Sequence, residues 1–199
     1  MVLTAAASAG AHPHAWIDVG TAFVVSGAGR ITAIKQEWLY DNLLSDGMLA
    51  ALREEGGGTA DLQAYAVETI GNLEPFGYFM QLRAGGKAVP VGPVREFTGT
   101  VEDGVIVLRF TAPLARPVDP RQETVALKVY DPTYFIEMLQ NPDKPPHLAG
   151  PGHPQCEIAI VDPDPSDADY ARALALDRGD KAEPDFGDLF AQQIRLECQ

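Results

Sequence analysis

Residues 15–40 read "AWIDVGTAFVVSGAGRITAIKQEWLY", and this stretch decides the fold class. Apolar residues alternate at Ala15, Ile17, Val19, Phe23 and Val25, the period of a strand with one face buried. "SGAG" at Ser26 to Gly29 reads as a turn, and residues 30–40 as the strand that returns from it. Two strands joined this closely form a hairpin, so the fold begins antiparallel.

Beyond the hairpin, after "YDN", the composition turns Leu- and Ala-rich. Residues 46–54 suit a short helix, Gly56, Gly57 and Gly58 break it, and residues 60–73 suit a second. Strands resume in "GYFMQLRAGGKAVPV", with "GGK" as the turn, and in "REFTGTVEDGVIVLRFTAPL", where Asp103-Gly104 between alternating runs marks a second hairpin. "ETVALKVYDPTYFIEML" predicts a strand ending at Asp131-Pro132 and then a short extended or helical piece. Residues 141–154 form a Pro- and Gly-rich loop. "CEIAIV" is a strand, the acidic run after it holds one short helix, "FGDLFAQQ" suits a helix, and "IRLEC" extends. The sum is α+β: mainly antiparallel hairpins, with a two-helix insertion over about residues 46–73 and a short C-terminal helical segment.

A chain of 199 residues suffices for one domain with its own core, here residues 12–199. Lys and Arg number 15 against 28 Asp and Glu, a formal net charge of -13, which gives no electrostatic footprint for nucleic acid. No apolar run approaches the roughly 20 residues of a membrane span. Residues 1–11, "MVLTAAASAGA", resemble the end of a secretory signal, with Ala9-Gly10-Ala11 fitting an A-x-A cleavage site and the basic n-region missing. This points to a periplasmic, exported protein whose mature chain starts at His12; an ordinary tail is the other reading. Cys156 and Cys198 are the two cysteines, and in an exported protein they are expected to form a disulfide, with two free structural thiols as the alternative.

The chemistry concentrates in the histidines. "AHPHAWID" carries two of the four, His12 and His14; His147 and His153 lie in the loop at residues 141–154. In an extended segment His12, His14, Trp16 and Asp18 share one side. Two imidazoles there can meet one metal ion, with Asp18 as a weaker ligand or an outer partner. Cleavage before His12 would add an α-amino group, and all-nitrogen donors suit nickel, zinc, cobalt or copper better than calcium or magnesium. Pro13 lacks an amide proton, which excludes the chelate that needs two deprotonated backbone amides. If both histidine pairs converged, up to four imidazoles would surround one ion; otherwise they are polar residues of a strand and a loop. The chain shows no G-x-S-x-G, no glycine-rich phosphate loop after a strand and no H-E-x-x-H, so a non-enzymatic role is expected.

Through "AHPHAWID", "WLYDN", "VYDPTYF" and the two late cysteines, the chain from about Ala11 to Cys198 resembles domain-of-unknown-function family 1007, the periplasmic component of an uncharacterised ABC-type transport system. Members of that family often accompany NicO-type nickel/cobalt permeases or zinc-responsive transport. The resemblance therefore implies a periplasmic metal-handling accessory of an inner-membrane metal transporter. Many relatives carry an EF-hand-like D-x-D-G-D-G run where this chain reads "REEGGGTADLQAY", which keeps only glycines and Asp61, so no calcium site is expected there. Two other readings stay open: a copper protein with an N-terminal histidine brace, and a module docking on a membrane transporter in which Trp16 packs inward and the histidines do nothing.

Overall fold

The computed structural model describes residues 13–54, 58–152, 154–176 and 182–199. The opening hairpin forms as its alternation requires: β1 (Ala15–Val25) pairs antiparallel with β2 (Ile31–Tyr40). Ile17, Val19, Phe23 and Val25 face the core and are almost fully buried. Two helices follow, α1 (Asn42–Glu54) and α2 (Thr59–Leu73). The first begins earlier than its apolar pattern suggests. Asp41 accepts the Leu44 N–H through Oδ1 at 2.8 Å, and its carbonyl accepts the Ser45 N–H, so this carboxylate caps the helix ahead of the first apolar turn. Asp61, the one aspartate in "REEGGGTADLQAY", accepts the Gly58 N–H at 2.5 Å and caps α2.

The next strands are β3 (Met80–Ala84), β4 (Lys87–Ala88), β5 (Glu96–Glu102), β6 (Val105–Val118) and β7 (Val125–Val129). Asp103 and Gly104 take φ of 50° and 89°, both left-handed as a two-residue hairpin turn between right-twisted strands demands. The piece after Asp131-Pro132 is extended: β8 (Ile136–Gln140). The loop at residues 141–154 holds a further short strand, β9 (His147–Ala149). Then come β10 (Cys156–Val161), α3 (Asp167–Ala175), a 3-10 turn at Phe186–Phe190 and β11 (Gln193–Cys198).

Two mainly antiparallel sheets result, so the fold is α+β. One runs β5-β6-β2-β1-β8, with β9 also pairing β1; the other runs β10-β11-β7-β3-β4. Both β8 and β9 lie parallel to β1, β8 along Ala15 to Val19 and β9 along Ala22 to Val24. The sheets share one core, with Phe23, Ile34, Trp38, Leu108 and Phe110 from the first and Leu82, Leu127, Ile194 and Leu196 from the second, while Leu62, Ala66, Ile70 and Leu73 of α2 join it. No helix among the described residues is long and apolar enough to cross a membrane.

A row of polar side chains crosses this core. Trp38 donates its indole N–H to Gln36 Oε1 (3.1 Å), Gln36 Nε2 donates to Thr21 Oγ1 (3.2 Å), and Thr21 donates to Gln140 Oε1 (3.1 Å). The Gln140 backbone N–H donates to Gln192 Oε1 at 2.7 Å, which ties the first sheet to the entry of β11. The row satisfies polar atoms that would otherwise be costly at full burial.

Candidate functional site

The N-terminal end of β1 is where "PHAWID", "WLYDN" and "DPTYF" meet. The backbone N–H of His14 donates to the Phe135 carbonyl at 2.9 Å, and its ring lies 5.0 Å from the Phe135 ring. One residue into the strand, the Trp16 N–H donates to Asp41 Oδ2 (2.9 Å), and Asp41 returns its own N–H to the Trp16 carbonyl (3.0 Å). The Trp16 indole N–H donates to Glu137 Oε2 at 2.9 Å. Asp41 thus caps α1 with one oxygen and clamps β1 with the other.

The opposite wall is the Asp131-Pro132 turn. Asp131, buried, accepts from the Thr133 N–H and hydroxyl through Oδ1 and from the Ile136 N–H through Oδ2. That brace holds Tyr134 at a φ of 58°, a left-handed conformation that a bulky residue keeps only when its surroundings fix it. Tyr134 stacks on Phe190 at 4.0 Å and meets the Phe186 edge. Burial, then the charge of Glu137 and the hydrogen bond to it, hold the Tyr134 hydroxyl above the usual phenol range, so it remains a proton donor toward Glu137.

On the outer side of this corner Trp16 is 45 % exposed, Phe135 38 % and Leu139 37 %. The outward placement of Trp16 corrects the expectation that it packs inward in a docking module: Ala15 and Ile17 take the buried side of the strand, and alternation turns Trp16 and Asp18 out together. Trp16, Asp18, Tyr40, Asp41 and Asn42 line a small cleft of about 280 Å³. Asp18 stands about 13 Å along the strand from His14.

The candidate histidines are not gathered in one place. His12 and His153 lie outside the described residues. His147 pairs with Ala22, and from His14 to Ala22 the strand runs about 26 Å. His14 and His147 therefore sit toward opposite ends of β1, and the convergence entertained from sequence does not occur between them. Gly150 and Gly152 belong to the far end as well. At Gly150, whose φ is 110°, a Cβ would fall 2.3 Å from the Val25 carbonyl oxygen, and at Gly152 one would fall 2.1 Å from that of Ser26. The loop nests on the first hairpin turn only because both positions lack side chains. Among the described residues no group of three or more His, Cys, Asp or Glu is placed to hold a metal ion.

Cys156 and Cys198 are opposite each other across β10 and β11, with Cα atoms 4.0 Å apart, and are joined by a disulfide. Asp41 and Glu137, which fix Trp16, were not singled out from sequence; the side chains that hold a strand end in place come from remote elements, and no local spacing announces them.

Comparison with known proteins adds kinship without function. An uncharacterised protein of Haemophilus influenzae is 27% identical over 192 residues, covering 95% of this chain and 92% of that protein. An uncharacterised 15.5 kDa protein of Spirochaeta aurantia is 34% identical over 74 residues, 37% of this chain and 52% of that one. No solved structure matches. The model of the family described as "Protein of unknown function (DUF1007)" matches residues 1–198, so the chain belongs to that family.

Proposed function

We propose that this protein is a non-enzymatic, periplasmic accessory of a metal transport system that binds nickel, cobalt or zinc through His12 and His14. The observation that carries the reading is the seating of His14. The entry of β1 is fixed by backbone and carboxylate bonds to two other elements, so His14 is presented on a rigid frame, as a metal site requires. Asp18 and Asp41 in the adjoining cleft, in a chain of net charge -13, supply a negative field that favours cations without selecting among them. The disulfide accords with an oxidising compartment.

The test is native mass spectrometry of exported protein supplied in turn with nickel, zinc, cobalt and copper. The expected result is one ion retained by the wild type and lost from His12→Ala/His14→Ala. Unchanged affinity of that double variant for every divalent ion would overturn the assignment. Retention of copper alone, by a chain starting at His12, would favour the histidine brace instead.

The exposed Trp16, Phe135 and Leu139 favour a second reading, in which the same corner docks on the transporter. In that case a variant lacking all four histidines would co-purify with the permease as well as the wild type does.

A further inference from the structure

The outer face of the first sheet carries a second cleft, remote from the histidine corner. It has a volume of about 480 Å³, within the roughly 300–1,000 Å³ of small-molecule sites. Its floor is Gly20 and Ala22 of β1, its walls Lys35 and Glu37 of β2, and its cover Lys144, Pro145 and His147 of the loop carrying β9. The small residues of the floor keep it open. Gly20 and Ala22 project little or nothing from the outward side of the strand, where larger residues would fill the space. A Cβ at Gly20 would make only ordinary contacts, 3.5 Å to Glu37 Cβ and 3.8 Å to Lys144 Cβ, so packing does not demand glycine there.

The charge of the cleft runs against that of the chain. Two lysines and a histidine face one carboxylate, in a protein of net charge -13. That carboxylate is already engaged. Glu37 accepts from Lys144 through Oε1 and from Arg109 through Oε2, and Arg109 is held in turn by both oxygens of Glu102. Lys35 has no ion pair among the described residues and is exposed at the cleft wall. His147 directs Nδ1 at the Pro145 carbonyl at 3.2 Å. A carbonyl only accepts, so Nδ1 carries the proton and the ring is oriented by the loop itself.

We propose that this cleft binds a small organic carboxylate, its carboxylate on Lys35 and its apolar body on the Gly20–Ala22 floor beneath Pro145. Inorganic phosphate fits less well: among the described residues lining the cleft there is no arginine and no helix residue, and the floor is apolar. The site is independent of the metal reading, because none of its lining residues belongs to the corner around His14.

The test is a titration of the 15N-labelled full chain, followed by amide shifts, with benzoate, benzamide, benzylamine and inorganic phosphate as probes. Benzoate is expected to shift Gly20, Ala22 and Ala149 with a Kd below about 1 mM, and the neutral and cationic isosteres and phosphate to bind at least about tenfold more weakly. Lys35→Gln, a change at an exposed side chain, should weaken benzoate about tenfold while leaving the remaining amides in place. Gly20→Leu should abolish binding by filling the floor. Equal binding of benzoate and benzamide, phosphate binding as tight as benzoate, shifts confined to other residues, or no shift at all would each overturn the proposal.

Discussion

Replacing Gln36 by leucine tests whether the buried polar row on the inner face of the first sheet stabilises the fold. Gln36 is fully buried, and its amide is the middle of the run from Trp38 to Thr21 and Gln140. Leucine matches the shape roughly and is favourable to bury, so simple hydrophobic arithmetic expects little change. The polar accounting expects otherwise. The indole N–H of Trp38, itself 1 % exposed, loses its acceptor and cannot reach water, which costs about 1–3 kcal/mol, with about 1 kcal/mol more for the hydrogen bonds removed. A loss of about 2–4 kcal/mol should lower the melting temperature by roughly 4–16 °C. Thr21→Val strands Gln36 Nε2 and Gln140 Oε1 instead, at a similar cost of about 1–3 kcal/mol. Because the two sites share one bond, the double variant should be more stable than the sum of the singles predicts, by about 1 kcal/mol. Urea unfolding followed by tryptophan fluorescence measures all three. A Gln36→Leu chain within about 0.5 kcal/mol of wild type, together with strict additivity in the double variant, would refute the reasoning.

Two further outcomes are expected. Reducing the disulfide, which closes a span of 42 residues, should destabilise the fold by about 4 kcal/mol in the loop-entropy account, seen as a melting temperature lower by roughly 8–16 °C in dithiothreitol, whereas a Cys156→Ser/Cys198→Ser chain should not respond to the reductant. Glu37 should also contribute to acid sensitivity. Burial raises its pKa, but the hydrogen bonds and charges of Lys144 and Arg109 outweigh this and the net position is lowered. A group whose folded pKa is depressed stabilises the fold above its unfolded pKa, about 4.3, and that stabilisation is lost as pH falls through the lower folded value. Glu37→Gln should therefore flatten the fall in stability below about pH 4.3; an unaltered acid limb would show that the Lys144 and Arg109 contacts contribute nothing.

Local patterns and distant contacts divide what the sequence discloses. The two principal hairpins were legible because alternation and turn chemistry act within a few residues: Ile17 to Val25 on one face, Asp103-Gly104 between paired strands. The cap of α1 was less so, since Asp41 belongs to a "YDN" that reads equally as a turn, and its helical role is decided by Oδ1 reaching Leu44. Parallel pairing of β8 and β9 with β1 had no local signal at all. Such pairing is set by where remote segments return: Asp131 braces only its own turn, while Gly150 meets the Val25 carbonyl of a distant element. Thr21 is instructive in a different way. It interrupts the apolar alternation of β1 at an inward position, as Gln36 does on β2, and two polar residues facing inward on paired strands are a sequence-level sign of a buried hydrogen bond.

The same β1 geometry constrains the chemistry of the histidines. Its edge is shared by two short parallel strands, and each brings its own loop: the Asp131 turn beside His14, and residues 141–149 beside Ala22. The strand between them is paired with β2 along its length, so His14 and His147 cannot approach one ion without dismantling the centre of the first sheet. The two ends differ in kind. One gathers Asp18, Asp41 and Glu137 around Trp16, a setting that favours cations; the other gathers Lys35, Lys144 and His147 over an apolar floor, a setting that favours anions. Under the two proposals the metal ion and the organic acid draw on different ligands, so alanine at His14 should leave benzoate binding untouched while glutamine at Lys35 leaves metal retention untouched. If either substitution disturbed both, the two ends would have to communicate through the strand itself, and the assignment of separate sites would fail.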